Sequence, residues 1–123
     1  GKSINKRIDK GQIEGGFIQG LGWLTTEEVS WKSDGKLQTH SPSTYKIPTA
    51  GETPFKFNVE IYERGINKEN VINKSKAVGE PPFMLAISSF IAIKNAVYNA
   101  NDNNGSEKLI APATPENVLN SFN

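Results

Sequence analysis

One carboxylate in this chain is presented as if for chemistry, in the run Ser75-Lys76-Ala77-Val78-Gly79-Glu80-Pro81-Pro82. Gly79 has no Cβ and lets the backbone approach a ligand closely, while Pro81 biases Glu80 toward an extended conformation. Two prolines and an apolar stretch follow, so Glu80 sits on a rigid elbow and is aimed outward, the posture a general base needs. The same position has a plainer use. A glutamate just ahead of a helix favours the positive end of the helix dipole, worth about 0.3–1 kcal/mol at an exposed site. Taken alone, Gly-Glu-Pro-Pro more often marks a helix entrance than a catalytic base.

The elements around this elbow follow from periodicity. Ile13, Phe17, Leu21 and Leu24 recur at helical spacing and predict a helix beginning near Gln12, with Asp9 and Gln12 spaced as in a capping box. Gly16 and Gly20 lie four apart on the adjacent stripe. Glycine inside a helix costs about 0.5–1 kcal/mol relative to alanine, which implies that another backbone or a cofactor packs closely on that face.

Residues 27–31 and 37–39 flank Lys32-Ser33-Asp34-Gly35, where Asp-Gly predicts a hairpin of two antiparallel strands. Phe55, Phe57, Val59 and Ile61 alternate with Lys56, Asn58, Glu60 and Tyr62, the pattern of a strand with one buried face. A second main helix starts at Pro81-Pro82, with Phe83, Ala86, Ile87, Phe90, Ile91, Lys94 and Val97 as its packed stripe and Lys94 snorkelling at the edge. Thr114-Pro115-Glu116 reads as cap, first helical residue and early acidic residue of a short final helix. The expected fold is α+β, a small antiparallel or mixed sheet with two main helices, in one unit spanning 1–123.

Composition narrows the chemistry. The 123 residues carry 14 Lys plus Arg against 13 Asp plus Glu, so a net charge of +1 offers no electrostatic case for nucleic acid. There is no cysteine, which rules out disulfides, thiolate metal sites and a cysteine nucleophile within these residues. The single histidine, His40, builds no metal site by itself and reads as an exposed strand or turn residue. The apolar runs look too short for a bilayer and the first residues lack the apolar core of a secretion signal, so no membrane partner and a cytoplasmic setting are expected.

Four motifs, in order, then converge on one family. Gly11-Gln12-Ile13-Glu14-Gly15-Gly16-Phe17-Ile18-Gln19-Gly20-Leu21-Gly22, Pro42-Ser43-Thr44-Tyr45-Lys46-Ile47-Pro48, the Ser75–Pro82 run and Ala111-Pro112-Ala113-Thr114-Pro115-Glu116 resemble the C-terminal part of xanthine dehydrogenases, within the molybdenum hydroxylases. The resemblance covers almost the whole chain. Asn5-Lys6 stands where many relatives have Asn-Pro, a departure that touches neither Glu80 nor Gln12.

That resemblance implies a role for each motif. Glu80 corresponds to the glutamate that takes a proton from a molybdenum-bound hydroxyl so that its oxygen attacks an electron-poor substrate carbon, as in xanthine or hypoxanthine. Gln12 corresponds to a glutamine that hydrogen-bonds the molybdenum cofactor, and its amide can both donate and accept. Ala77, Val78 and Gly79 fall in a segment whose backbone lines the same cofactor. In this family the metal is held through the pterin dithiolene, so no protein residue here is expected as a metal ligand.

The resemblance further implies that the chain is a fragment, the C-terminal portion of a molybdopterin-binding domain. FAD and [2Fe-2S] clusters belong to other segments of the complete enzyme, which is commonly a homo-oligomer, and the 123 residues alone are expected to bind no molybdenum and to be inactive. Two alternatives stand beside this reading. One is the same family acting on aldehydes or another N-heterocycle; the other is a non-catalytic interaction module in which Glu80 and Gln12 only cap helices.

Overall fold

A computed structural model describes residues 1–76, 80–102 and 107–123. Four α-helices order them: α1 (Lys6–Thr25), α2 (Glu80–Leu85), α3 (Ile87–Ala100) and α4 (Pro115–Asn120), with short 3-10 turns at Ala50–Glu52 and Ile72–Lys74.

Helix α1 starts earlier than its periodicity predicts. Asn5 is the cap: its side-chain oxygen accepts from the backbone N–H of Arg7 and Ile8 at 3.1 and 3.2 Å, while Asp9 N–H donates to the Asn5 carbonyl. A cap upstream satisfies the orphan donors before Asp9 is reached. Asp9 therefore lies one turn inside the helix, and Gln12 has no capping duty. Ile13, Phe17, Leu21 and Leu24 are all half-buried, as their spacing predicts.

The expected sheet is absent among the described residues, and α+β must be corrected to an all-helical framework joined by long irregular segments. The Asp34-Gly35 turn does form: Gly35 has φ +81°, and its N–H donates to the Lys32 carbonyl at 2.9 Å. Pairing nevertheless stops at one antiparallel bridge between Trp31 and Leu37. Both Val29 and Trp31 remain mostly exposed, and a two-stranded ribbon without a buried face is marginal in water. Residues 57–62 keep their alternation in burial, with Phe57, Val59 and Ile61 half-buried between exposed neighbours. Phe57 packs on Phe17 at 5.4 Å between ring centroids. No strand lies beside this segment among the described residues. Alternation encodes a buried face, not a hydrogen-bonded neighbour.

The second predicted helix is two. Ala86, fully buried, breaks the run between α2 and α3, and the Ser89 and Phe90 N–H groups turn back to its carbonyl. Together Glu80–Ala100 spans 21 residues and is long and apolar enough, by length and composition alone, to cross a membrane, contrary to the expectation that no apolar run reaches that length. Its Met84, Leu85, Ile87 and Ile91 side chains are about half exposed. Lys94 sits at the stripe's edge with its ammonium 5.8 Å from the Phe90 ring centroid.

Apolar burial is concentrated at the far end of α3. Val97, Leu109 and Ala113 form the core, covered by Phe90, Ile93 and Val118. Helix α4 is opened as its sequence predicts: Thr114 accepts from Asn117 N–H at 3.2 Å, and Pro115 takes the first turn. The Ala113 N–H then reaches across to the Leu24 carbonyl at 2.7 Å, tying this end of the chain to the last turn of α1.

Candidate functional site

Helix α1 packs against α2 along one side, with a smaller contact to α3. Gly20 makes this approach possible. A Cβ there would stand 2.2 Å from the Phe83 carbonyl oxygen and 2.8 Å from the Ala86 Cβ, so α2 rests directly on the α1 backbone. Trp23 and Phe83 extend the contact, their rings 5.3 Å apart. The sequence expectation of a close backbone neighbour on this glycine stripe is met at Gly20 by the chain itself.

Between the two helices, at the start of α2, lies a groove of about 630 Å³, within the range of small-molecule and cofactor sites. Gly11, Gln12, Gly15, Gly16 and Gln19 line it from α1; Glu80, Phe83 and Met84 line it from α2. Two residues far apart in sequence, Gln12 and Glu80, thus border the same space. Neither side chain has a hydrogen bond or ion pair among the described residues, and both are exposed. Ala77, Val78 and Gly79 lie outside the described residues.

The donor set suits a polar, flat heterocycle. Among the described residues, a Cβ at Gly11 or at Gly15 would meet nothing beyond α1 itself within 4 Å, so α1 offers bare backbone along the groove. Amides at Gln12 and Gln19 can each donate and accept, the Glu80 carboxylate accepts when ionised, and Phe83 and Met84 supply an apolar wall. No group of three or more His, Cys, Asp or Glu side chains placed to hold a metal ion occurs among the described residues. The amides, the carboxylate and the apolar wall present fit an organic cofactor that carries its own metal ligands.

Two features escaped the sequence reading. Gln19 follows Gln12 by seven residues, two turns of helix, and that spacing was the available signal for a second amide on the same face. Phe83 belongs by its spacing to the packed stripe, yet it both packs on Trp23 and walls the groove.

The run 42–48 does not line the groove; it clamps the other end of α1. Pro48 and the Glu27 carboxylate lie where a Cβ on Gly22 would be, at 2.3 and 2.5 Å. Thr26 Oγ1 donates to the Lys46 carbonyl at 3.1 Å, and Tyr45 O–H donates to Glu27 Oε2 at 2.7 Å. That hydrogen bond holds the Tyr45 phenol above its ordinary range, with burial and the Glu27 charge acting in the same direction. Nearby, the Lys46 ammonium and the Thr49 N–H and O–H groups all donate to Glu52, lowering its carboxyl to about 2.

Comparison with known proteins identifies the family. Residues 1–54, which include all of α1, match the family model described as "Molybdopterin cofactor-binding domain". That sets the class as a cofactor-binding segment. The chain is 47% identical to a xanthine dehydrogenase/oxidase of Rattus norvegicus over 98% of its length, and 45% identical to xanthine dehydrogenase 2 of Arabidopsis thaliana over 96%. It is also 51% identical, over 81% of its length, to an indole-3-acetaldehyde oxidase of Arabidopsis thaliana. In each case it spans less than a tenth of the relative, 9%, 9% and 7% respectively. The chain belongs to the xanthine dehydrogenase family and corresponds to a segment of its molybdenum-binding region.

Proposed function

We propose that residues 1–123 form the C-terminal portion of the molybdopterin-binding domain of an oxidoreductase that hydroxylates purines such as xanthine or hypoxanthine, with Glu80 as its active-site base. The observation that carries this reading is the shared groove: Gln12 and Glu80 face it from two helices, and neither has a hydrogen-bond or ion-pair partner among the described residues. When bound, the cofactor supplies the metal centre that accepts the electrons removed from the substrate carbon.

The chain's own residues do the rest. Gln12 binds the cofactor edge through its amide, and the Gly11 and Gly15 backbone leaves room for close approach. Glu80, held at the first residue of α2, accepts at a carboxylate oxygen the proton of the attacking oxygen nucleophile, which removes the cost of attack by a neutral hydroxyl. Phe83 and Met84 keep one wall apolar and limit competing water.

Other segments of the parent supply the remaining walls, the FAD and [2Fe-2S] centres and the subunit contacts of a cytoplasmic homo-oligomer. The half-exposed Met84, Leu85, Ile87 and Ile91 are where those segments pack. A second reading of substrate, an aldehyde, is favoured by the similarity to the indole-3-acetaldehyde oxidase.

The test is xanthine turnover by the full-length parent carrying Glu80→Gln, with molybdenum content matched to wild type. A base should be worth 10²-fold or more in rate. A residue serving only the helix dipole should cost about 0.3–1 kcal/mol in stability and leave the rate alone. Equal rates would therefore remove Glu80 from the chemistry. An inactive wild type that oxidises aldehydes would move the substrate assignment.

A further inference from the structure

Gln19 has no function assigned by anything so far. Its amide faces the groove from α1, it is exposed, and it makes no hydrogen bond among the described residues. Seven residues separate it from Gln12, which brings the two amides onto nearly the same helix face roughly 10 Å apart along the axis. Gly15 and Gly16 lie between them on the groove. The two glutamines thus bracket a length of helix suited to a ligand of several fused rings lying along α1, longer than a single substrate ring requires.

We propose that Gln19 is a second amide contact for the cofactor, holding the end of its fused-ring system remote from Gln12. This rests on the proposed function, because it takes the groove ligand to be the pterin cofactor. Three observations support it. The amide is unspent among the described residues, the stretch that carries it matches a molybdopterin cofactor-binding family, and across the groove Phe83 and Met84 offer an apolar surface beside Glu80. In chemical terms Gln19 can donate N–H to a ring carbonyl or accept from a ring N–H, so it would read the polar edge of the heterocycle. It takes no part in proton transfer and is a positioning residue.

The experiment uses the full-length parent and reads cofactor retention instead of turnover. Wild type, Gln19→Ala, Gln19→Glu and, as control, Lys10→Ala on the same helix but outside the groove lining are purified alike. Each is dialysed, and molybdenum per polypeptide is followed with time together with the fluorescence of the oxidised pterin released. Loss of one neutral hydrogen bond should speed release of both by roughly two- to tenfold in Gln19→Ala. Lys10→Ala should follow wild type.

Alanine at an exposed helical site preserves folding, which matched thermal unfolding of the cofactor-free proteins checks. Gln19→Glu, of equal length but without the N–H donors, tells whether the amide donates. Slow release restored to the wild-type rate means that it only accepts; release as fast as in Gln19→Ala means that it donates. Indistinguishable release from wild type and Gln19→Ala overturns the inference while leaving Glu80 and Gln12 untouched. So does a changed KM for xanthine with unchanged retention, which would make Gln19 a substrate contact. A wild-type parent devoid of molybdenum would overturn the functional reading and this inference with it.

Discussion

Replacing Gly20 by alanine tests how the site is assembled without substituting any residue that lines it. The new Cβ would stand 2.2 Å from the Phe83 carbonyl oxygen, a backbone atom that cannot rotate aside, and 2.8 Å from the Ala86 Cβ. Overpacking of this kind costs about 1–3 kcal/mol. Against it stands the gain in helix propensity on replacing an internal glycine, about 0.5–1 kcal/mol. Gly15→Ala provides the matched control, since its Cβ would meet nothing beyond α1 within 4 Å among the described residues and the propensity gain should appear alone. The propensity contribution cancels between the two variants, so Gly15→Ala should exceed Gly20→Ala in stability by about 1–3 kcal/mol. Urea unfolding of the two chains, with a slope of about 1–3 kcal/mol per molar, should separate their midpoints by roughly 1 M. In the parent, Gly20→Ala should also lower turnover, because pushing α2 off α1 moves Glu80 away from Gln12. Coincident midpoints, or a Gly20→Ala chain more stable than Gly15→Ala, would refute the close contact between the helices.

Two further outcomes follow from the local chemistry. Thr114→Ala removes the side-chain acceptor that caps α4 at Asn117 and should cost about 1 kcal/mol in urea unfolding, with Thr114→Ser retaining most of it; an unchanged midpoint would show that the cap contributes nothing. The depressed carboxyl of Glu52 means that its stabilising contribution is complete above the usual glutamate range near pH 4.5 and is lost as pH falls toward about 2. An NMR titration of that carboxyl should give a midpoint near 2 that rises in Lys46→Met, and a wild-type midpoint at 4.5 would dismiss the Lys46 and Thr49 contacts.

Legibility in the sequence differed from element to element for physical reasons. The glycine stripe on α1 foretold a close neighbour because glycine's cost in a helix must be offset by packing, and the Phe83 carbonyl on Gly20 is that neighbour. Thr114-Pro115-Glu116 and Asp34-Gly35 are short-range signals decided by their own backbone geometry, and both held. The sheet did not, because strand pairing depends on residues remote in sequence: 57–62 shows the predicted alternation and lacks the neighbour. The break at Ala86 was equally invisible, being the place where α1 presses on the run. For the site, Gln12 and Glu80 were both singled out, one from a family motif and one from its elbow, but their meeting in a groove depends on tertiary contact. Gln19 went unread because a lone glutamine on a helix resembles any solvated residue until the opposite wall is known.

The hydrogen bond from Ala113 N–H to the Leu24 carbonyl imposes an order in time. Its two ends are roughly 90 residues apart, so at about 5–20 residues per second a ribosome needs roughly 4–18 s between making one and making the other. Until Glu80–Leu85 follow it, α1, with Gly11, Gly15, Gly16, Gly20 and Gly22 in it, lacks α2, and until Ala113 it lacks the C-terminal turn as well. A helix so rich in glycine does not persist alone in water. The wall that carries Gln12 is thus made before the two elements of these 123 residues that brace it, and a version of them ending before residue 80 should show α1 more open to protease than all 123 residues do.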